Sequence, residues 1–208
     1  GTTVLYSAPH KIEMNASDGL VVEQGGRSTI TSTSAQPARN QWENLYVDGW
    51  WSPRGGMEIS AANYGVYYHT DRKLSLNNFV LHHNGDGLNL QNGETTVTDS
   101  EIRNNEYAGI HVYYHKVNVQ NSRIYDNANG IHINYYGSAN IRESELSSNR
   151  DAGLYTSAAR NVQISNSLIA HNSQGIRADR DNNIAYLIEA DQVTFDNNGI
   201  AFNEDDAS

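Results

Sequence analysis

The chain has 208 residues, with 14 Lys and Arg against 24 Asp and Glu, so its formal net charge is −10, a balance that offers little to neutralise phosphates and argues against a nucleic-acid partner. It has no Cys and hence no disulfide framework. No apolar run reaches the ~18 residues of a membrane span, so no membrane insertion is expected.

Gly1 to His10 show no charged stretch followed by an apolar one, and the chain opens as a mature or excised segment would. The hydrophobic share is 38%, under the roughly 45–50% of globular domains, as a thin core would give. Leu20 to Glu23, closed by Gln24-Gly25-Gly26, reads as a strand and turn. Ser28 to Ser32 is either a second strand or a linker, and Gln36 to Asn40, containing Pro37, is a loop. Trp42, Trp50 and Trp51 then gather around Leu45-Tyr46-Val47, as an apolar cap or early rung or, alternatively, an aromatic platform for a sugar. The expected organisation is one structural domain: irregular first rungs or a cap over 1–56, regular repeats over 57–203, and an acidic tail or linker over 204–208.

From Met57 onward a frame returns: an apolar residue, two more residues, Asn, a short gap and Gly. The asparagines are Asn84, Asn105, Asn127, Asn149, Asn172 and Asn198, stepping by 21, 22, 22, 23 and 26 residues. Gly65, Gly87, Gly109, Gly130, Gly153, Gly175 and Gly199 each precede Val, Leu or Ile. A period near 22 marks a solenoid in which one repeat is one rung. Two strand signals of period two fill each rung, one after the Gly (Ile110 and Val112, Ile131 and Ile133) and one running through Val97, Val119 and Ile141 to Ile102, Ile124 and Leu146. The predicted fold is all-β: a parallel β-solenoid of about eight or nine rungs, ~4.8 Å apart.

An amide in each rung can hydrogen-bond its counterpart in the next, so the asparagines are expected to form a structural ladder. Ser100, Ser122, Ser144 and Ser167 are expected to form a second inward file. The glycines are expected where the chain passes through positive φ on leaving the turn.

The repeat Asn121-Ser122-Arg123-Ile124-Tyr125-Asp126-Asn127, with Gly130-Ile131, resembles that of right-handed parallel β-helix proteins, the pectate lyase-like superfamily. The resemblance covers about residues 57 to 203, and weakly 20 to 51. It implies a right-handed coil and, as in the family's lyases and epimerases, an outer face that takes extended polysaccharide. It carries no catalytic motif over to any position, and no acidic cluster resembles a pectate lyase calcium site.

The outward positions after each Gly are therefore the candidate ligand strip: Tyr67, Asn89, His111, His132, Tyr155 and Arg177, then His69, Gln91, Tyr113 and Asn134, continuing to Ser157 and Asp179. Aromatic rings there stack on sugars while amides, imidazoles and Arg bind hydroxyls or carboxylates. Tyr114, Tyr135 and Tyr136 thicken the strip. His111 and His132, on adjacent rungs, are expected about 5 Å apart. For β-elimination at a uronic acid the candidates are Lys73, Lys116 or Arg177 as cation and base, with His111, His132 or Tyr155 as acid or base. Hydrolysis needs paired carboxylates, of which the strip shows only Asp179. Asp71, Asp86, Asp126, Asp151, Asp181, Asp191 and Asp196 read mainly as solvated turn residues. No metal site or cofactor is expected, with incidental calcium as the minor alternative.

Two functions fit. One is an extracellular or cell-surface β-helix module of a larger protein with flanking domains, binding a polysaccharide or surface glycan or acting as a spacer. The other is a polysaccharide lyase or epimerase working along the strip.

Overall fold

The computed structural model describes residues 2–6, 12–14, 27–32, 39–48, 51, 53, 55–179 and 187–205. Leu20 to Gly26, Pro37, Trp50 and Asp181 lie outside the described residues. The described strands are all parallel and form three sheets, with no helix among the described residues. One sheet of nine strands follows the repeat glycines and contains Ala62–His69, Asp86–Gln91, Ala108–Tyr113, Asn129–Asn134, Ala152–Ser157, Gln174–Asp179 and Ile200–Asp205. It is called the glycine sheet below. A second nine-stranded sheet is built from Val80 onward of three-residue strands such as Val80–His82, Glu101–Arg103 and Arg123–Tyr125. It is the short-strand sheet. The third sheet has six strands, among them Lys73–Asn77, Glu94–Thr98, Lys116–Gln120 and Leu187–Asp191.

The expected second strand signal is thus two strands. Asp99, Asn121, Glu143 and Asn166, with φ of 51°, 48°, 52° and 48°, turn the chain just before the serine file and divide the third sheet from the short-strand sheet. The coil is right-handed and makes about seven turns, somewhat fewer than eight or nine. Before Ala62 the described strands pair in two of the three sheets. The Ser28 to Ser32 segment is a strand, Arg27–Ser32, not a linker. Trp42 and Trp51 are buried at 2% and 3% exposure, so neither is a platform for a ligand.

Each rung sends a few aliphatic side chains inward. Leu88, Leu90, Val97 and Ile102 are completely buried, as are Ile110, Val112, Val117, Val119 and Ile124 one rung on. At roughly 1.5–3 kcal/mol per buried aliphatic side chain, these files supply most of the driving force.

The ladder forms as expected. Asn105 donates from both its backbone N–H and its Nδ2 to Asn127 Oδ1, at 3.0 and 2.9 Å, and from Nδ2 to Leu81 O at 3.3 Å; the pattern repeats from Asn84 to Asn198. In the serine file each hydroxyl accepts the backbone N–H of the preceding rung and donates to a carbonyl two residues back, as Ser122 does with Ser100 and Gln120 at 3.1 and 2.8 Å.

The glycines have a different cause from the one expected. Among the described glycines only Gly93 has a positive φ. A Cβ on Gly109 would lie 2.7 Å from Gly130 O and 2.6 Å from Ile124 Cγ2, and one on Gly87 2.6 Å from Gly109 O, so side chains are excluded by the rung above. Positive φ falls instead on the residue before each ladder asparagine: His83, Asn104, Asp126, Ser148, His171 and Asn197. In the last rung the register follows the ladder. Ile176 pairs with Phe202, which makes Ala201, not Gly199, the counterpart of Gly175.

Candidate functional site

The outer face of the glycine sheet carries the predicted row in register: Tyr67, Asn89, His111, His132, Tyr155 and Arg177 are consecutive pairing partners, as are His69, Gln91, Tyr113, Asn134, Ser157 and Asp179. At the middle of this face lies a cleft of about 370 Å³, lined by Tyr64, Asp86, Asn89, Tyr107, His111, Tyr113, Ala128, Asn129 and His132. Tyr64 also lines a neighbouring depression of about 310 Å³ with Glu43, Asn44, Tyr46 and Tyr67.

Asp86 is not a solvated turn residue. It begins the strand Asp86–Gln91 and is 3% exposed. Its carboxylate accepts from Ala108 N at 2.9 Å, Asn89 Nδ2 at 3.0 Å and His111 Nδ1 at 3.3 Å. A buried carboxylate is tolerated when such donors replace water. Asn134 Nδ2 donates to His111 Nε2 at 3.0 Å, which places the imidazole proton on Nδ1, toward Asp86. Of the other acidic residues read as turn groups, Asp71, Asp126, Asp191 and Asp196 are exposed.

The rings of the row stack on one another. His111 and His132 lie 4.4 Å apart between centroids with planes 15° apart, and His132 and Tyr155 4.3 Å with 19°. The Arg177 guanidinium covers the other face of Tyr155 at 4.8 Å. Rung spacing matches aromatic stacking distance, so Tyr155 and the imidazoles present edges outward. Stacking of a sugar on Tyr155, expected from the sequence, is thereby corrected; of the cleft walls, Tyr113 packs against His111 at 4.2 Å and Tyr64 against Tyr67 at 5.5 Å, while Tyr107 is 55% exposed.

Burial, followed by the neighbouring His111, pushes His132 down to about 3. Its Nε2 is buried and has no hydrogen-bond partner among the described residues. Tyr155 donates its hydroxyl to Asp179 Oδ2 at 2.5 Å, and burial, then this bond, raises it to about 12. Arg177 binds Asp179 at 3.0 Å and approaches Asp151 at 3.7 Å. Burial, then Asp86, raises Tyr64 and Tyr113. Tyr64 and Tyr113 therefore act as neutral donors at the cleft.

Lys116 and Lys73 are not part of this arrangement. Both lie on the third sheet and hold Glu94, at 3.2 and 2.9 Å; Lys73 first, then Asn118 and Lys116, lower Glu94 to about 2. Among the described residues no group of three or more His, Asp or Glu is placed to hold a metal ion. Sequence reasoning misread Asp86 as a turn acid and missed Tyr64, Tyr107 and Asn129. The signal for Tyr107 is the gap from Asn105 to Gly109, one residue longer than from Asn84 to Gly87, which pushes a side chain out over the next rung.

The ladder-bearing, three-sided coil defines a right-handed parallel β-helix. The chain belongs to that family: the family described as "Right handed beta helix region" matches residues 64–207. Among solved structures it is similar to pectate lyase Pel9A, with a TM-score of 0.56 and 15% identity over 98% of this chain and 69% of that one. It is also similar, at a TM-score of 0.46 and 13% identity, to the A-module of the Azotobacter vinelandii mannuronan C-5 epimerase AlgE6, over 100% of this chain and 90% of that one. No curated protein matches the sequence. At these identities the likeness is one of fold.

Proposed function

We propose that the protein is a glycan-binding β-helix module, of a secreted or surface protein, whose cleft between Tyr64, Tyr107 and Tyr113 is the central sugar site. The observation that carries this is the cleft itself: aromatic walls around a floor of polar donors and acceptors (Asn89, Asn129, His111 and His132), the combination that takes a pyranose ring and its hydroxyls. The fold shared with a polysaccharide lyase supports a polysaccharide ligand at the level of architecture only. The cleft favours a neutral over an anionic sugar, because its one carboxylate, Asp86, is met by neutral groups and Arg177 is already engaged with acids.

The same geometry weighs against catalysis by most candidates. His111 Nε2 is covered by Asn134, Tyr155 is tied to Asp179, and the lysines lie on another sheet. One observation favours the lyase or epimerase reading: His132 lines the cleft and its Nε2 is buried without a partner among the described residues, so a movement that opened this atom to the cleft would give a bound sugar a proton acceptor. A glycan array combined with absorbance at 235 nm for unsaturated uronates separates the two. Binding of neutral oligosaccharides without turnover is expected; uronate turnover abolished by His132→Ala would replace the module reading with the enzymatic one.

A further inference from the structure

At the edge where the glycine sheet turns into the third sheet, three tyrosines project into solvent: Tyr114, Tyr135 and Tyr136 are 56%, 53% and 44% exposed. They stack as a continuous series. Tyr113 to Tyr135 is 5.9 Å, Tyr114 to Tyr135 5.7 Å and Tyr114 to Tyr136 6.1 Å between centroids, with planes 15–26° apart. Arg160 lies over Tyr136 at 5.1 Å.

All three have left-handed backbones, with φ of 49°, 46° and 63°, a conformation that bulky L residues rarely adopt. Gly137 N donates to Asn134 O at 3.0 Å, so Tyr135 and Tyr136 are the two central residues of a tight turn with positive φ at both. That turn strongly prefers Asn-Gly.

The repeat supplies its own control. Gln91 pairs with Tyr113 and Tyr113 with Asn134, so Asn92, Tyr114 and Tyr135 hold the same place on successive rungs. On the first of these the chain uses Asn92-Gly93, with φ of 63° and 84°, the residues the backbone favours. On the rung after Tyr135 the place is held by Ala158, with φ of 63°, so the left-handed backbone belongs to the position, and neither it nor burial calls for tyrosine on two of the four rungs. The rings gain packing against one another and against Arg160, and that packing still leaves about half of each exposed to a ligand.

Tyr113, which lines the cleft, stacks on Tyr135, so the series is continuous with the cleft wall. We propose that Tyr114, Tyr135 and Tyr136 form a second glycan platform, taking the sugar units that follow the one held in the cleft, so that the chain leaves the cleft over the sheet edge instead of running only along the coil. The inference rests on the glycan reading of the cleft. With centroids 5.7–6.1 Å apart, against 4.3–4.4 Å in the row of His111, His132 and Tyr155, these rings are offset and keep part of their faces exposed, which suits a β-1,4-linked oligomer of pyranoses whose flat C–H faces recur at regular intervals.

The test is calorimetry on the wild type, Tyr107→Ala and the double variant Tyr135→Asn/Tyr136→Gly, using the hexamers and dimers of β-1,4-glucan, xylan and mannan. The double variant restores the favoured turn, so its melting temperature should be unchanged or higher, which a structural role for the tyrosines would not allow. The expected result is a hexamer bound about tenfold tighter than its dimer by the wild type, with that advantage lost in the double variant and dimer binding retained. Equal hexamer affinity in wild type and double variant overturns the platform while Tyr107→Ala still reports on the cleft. Loss in the double variant with none in Tyr107→Ala upholds the platform and removes the cleft reading. No binding of any probe by the wild type overturns both.

Discussion

The outer faces of the glycine sheet and the short-strand sheet are stacked from the same rungs over the same core, yet they dispose of their polar groups in opposite ways. On the short-strand sheet the charges from Glu58 to Glu145 are met by neighbours. Glu58 binds His82 at 2.9 Å, Glu101 binds Arg103 at 2.7 Å and accepts from Tyr125, and Arg123 binds Glu145 at 2.9 Å. On the glycine sheet the one deeply buried carboxylate is met by amides and an imidazole, His132 Nε2 has no partner among the described residues, and the aromatic walls stand apart around a cleft. Where charges cancel across rungs the face is complete in itself; where neutral polar groups line a concavity, a ligand has hydrogen bonds left to make.

The comparison breaks most completely by removing what the two faces share. Ile124→Ala in the buried file should cost about 2–5 kcal/mol in denaturant unfolding and disturb both faces, whereas a cost below about 1 kcal/mol would mean that rungs are not held by their inner files.

Acid should act next, through the imidazoles. His132 and His115 are both lowered to about 3, chiefly by burial, while unfolded His titrates near 6.5. Between those values the unfolded chain binds more protons than the folded one, so stability is full above about pH 6.5 and falls as pH drops toward 3, by a few kcal/mol. Glu94, lowered to about 2 chiefly by Lys73, loses its contribution in the same direction below the normal carboxylate range. Urea midpoints from pH 7 to 4 check the slope for wild type and His132→Phe; an equal slope in both would mean that His132 titrates freely.

A cleft-wall change should separate binding from stability. Tyr107→Ala is expected to weaken glycan binding roughly tenfold, about 1.4 kcal/mol, with unfolding free energy within ~0.5 kcal/mol of wild type, since the ring is mostly exposed. Calorimetry and denaturation on the same preparation decide it.

The smallest effect belongs to the complete face. Arg123→Ala removes an exposed pair with Glu145 and should cost no more than about 1 kcal/mol, less in high salt, with glycan affinity unchanged. A loss of affinity there would erase the distinction between the faces.

Much of this was legible from the chain alone, because a repeat aligns its own rungs. The spacing of Asn84, Asn105 and Asn127 placed like residues above one another, and from that came the ladder, the serine file and the pairing of His111 with His132. The same logic failed where a neighbouring rung, not the residue's own turn, sets the environment. The glycines are required by a carbonyl one rung away, and Asp86 looks like any turn acid until Asn89, Ala108 and His111 close around it.

Sequence by itself therefore determined the coil, its direction of stacking and which residues face out, since period and polarity are local properties of the strand. Only the tertiary structure decided which outward residues meet solvent as faces, which as edges and which lie buried beneath a cleft. Those outcomes depend on ring-to-ring distances set by rung spacing and on how far a turn such as that of Tyr107 projects over the next rung.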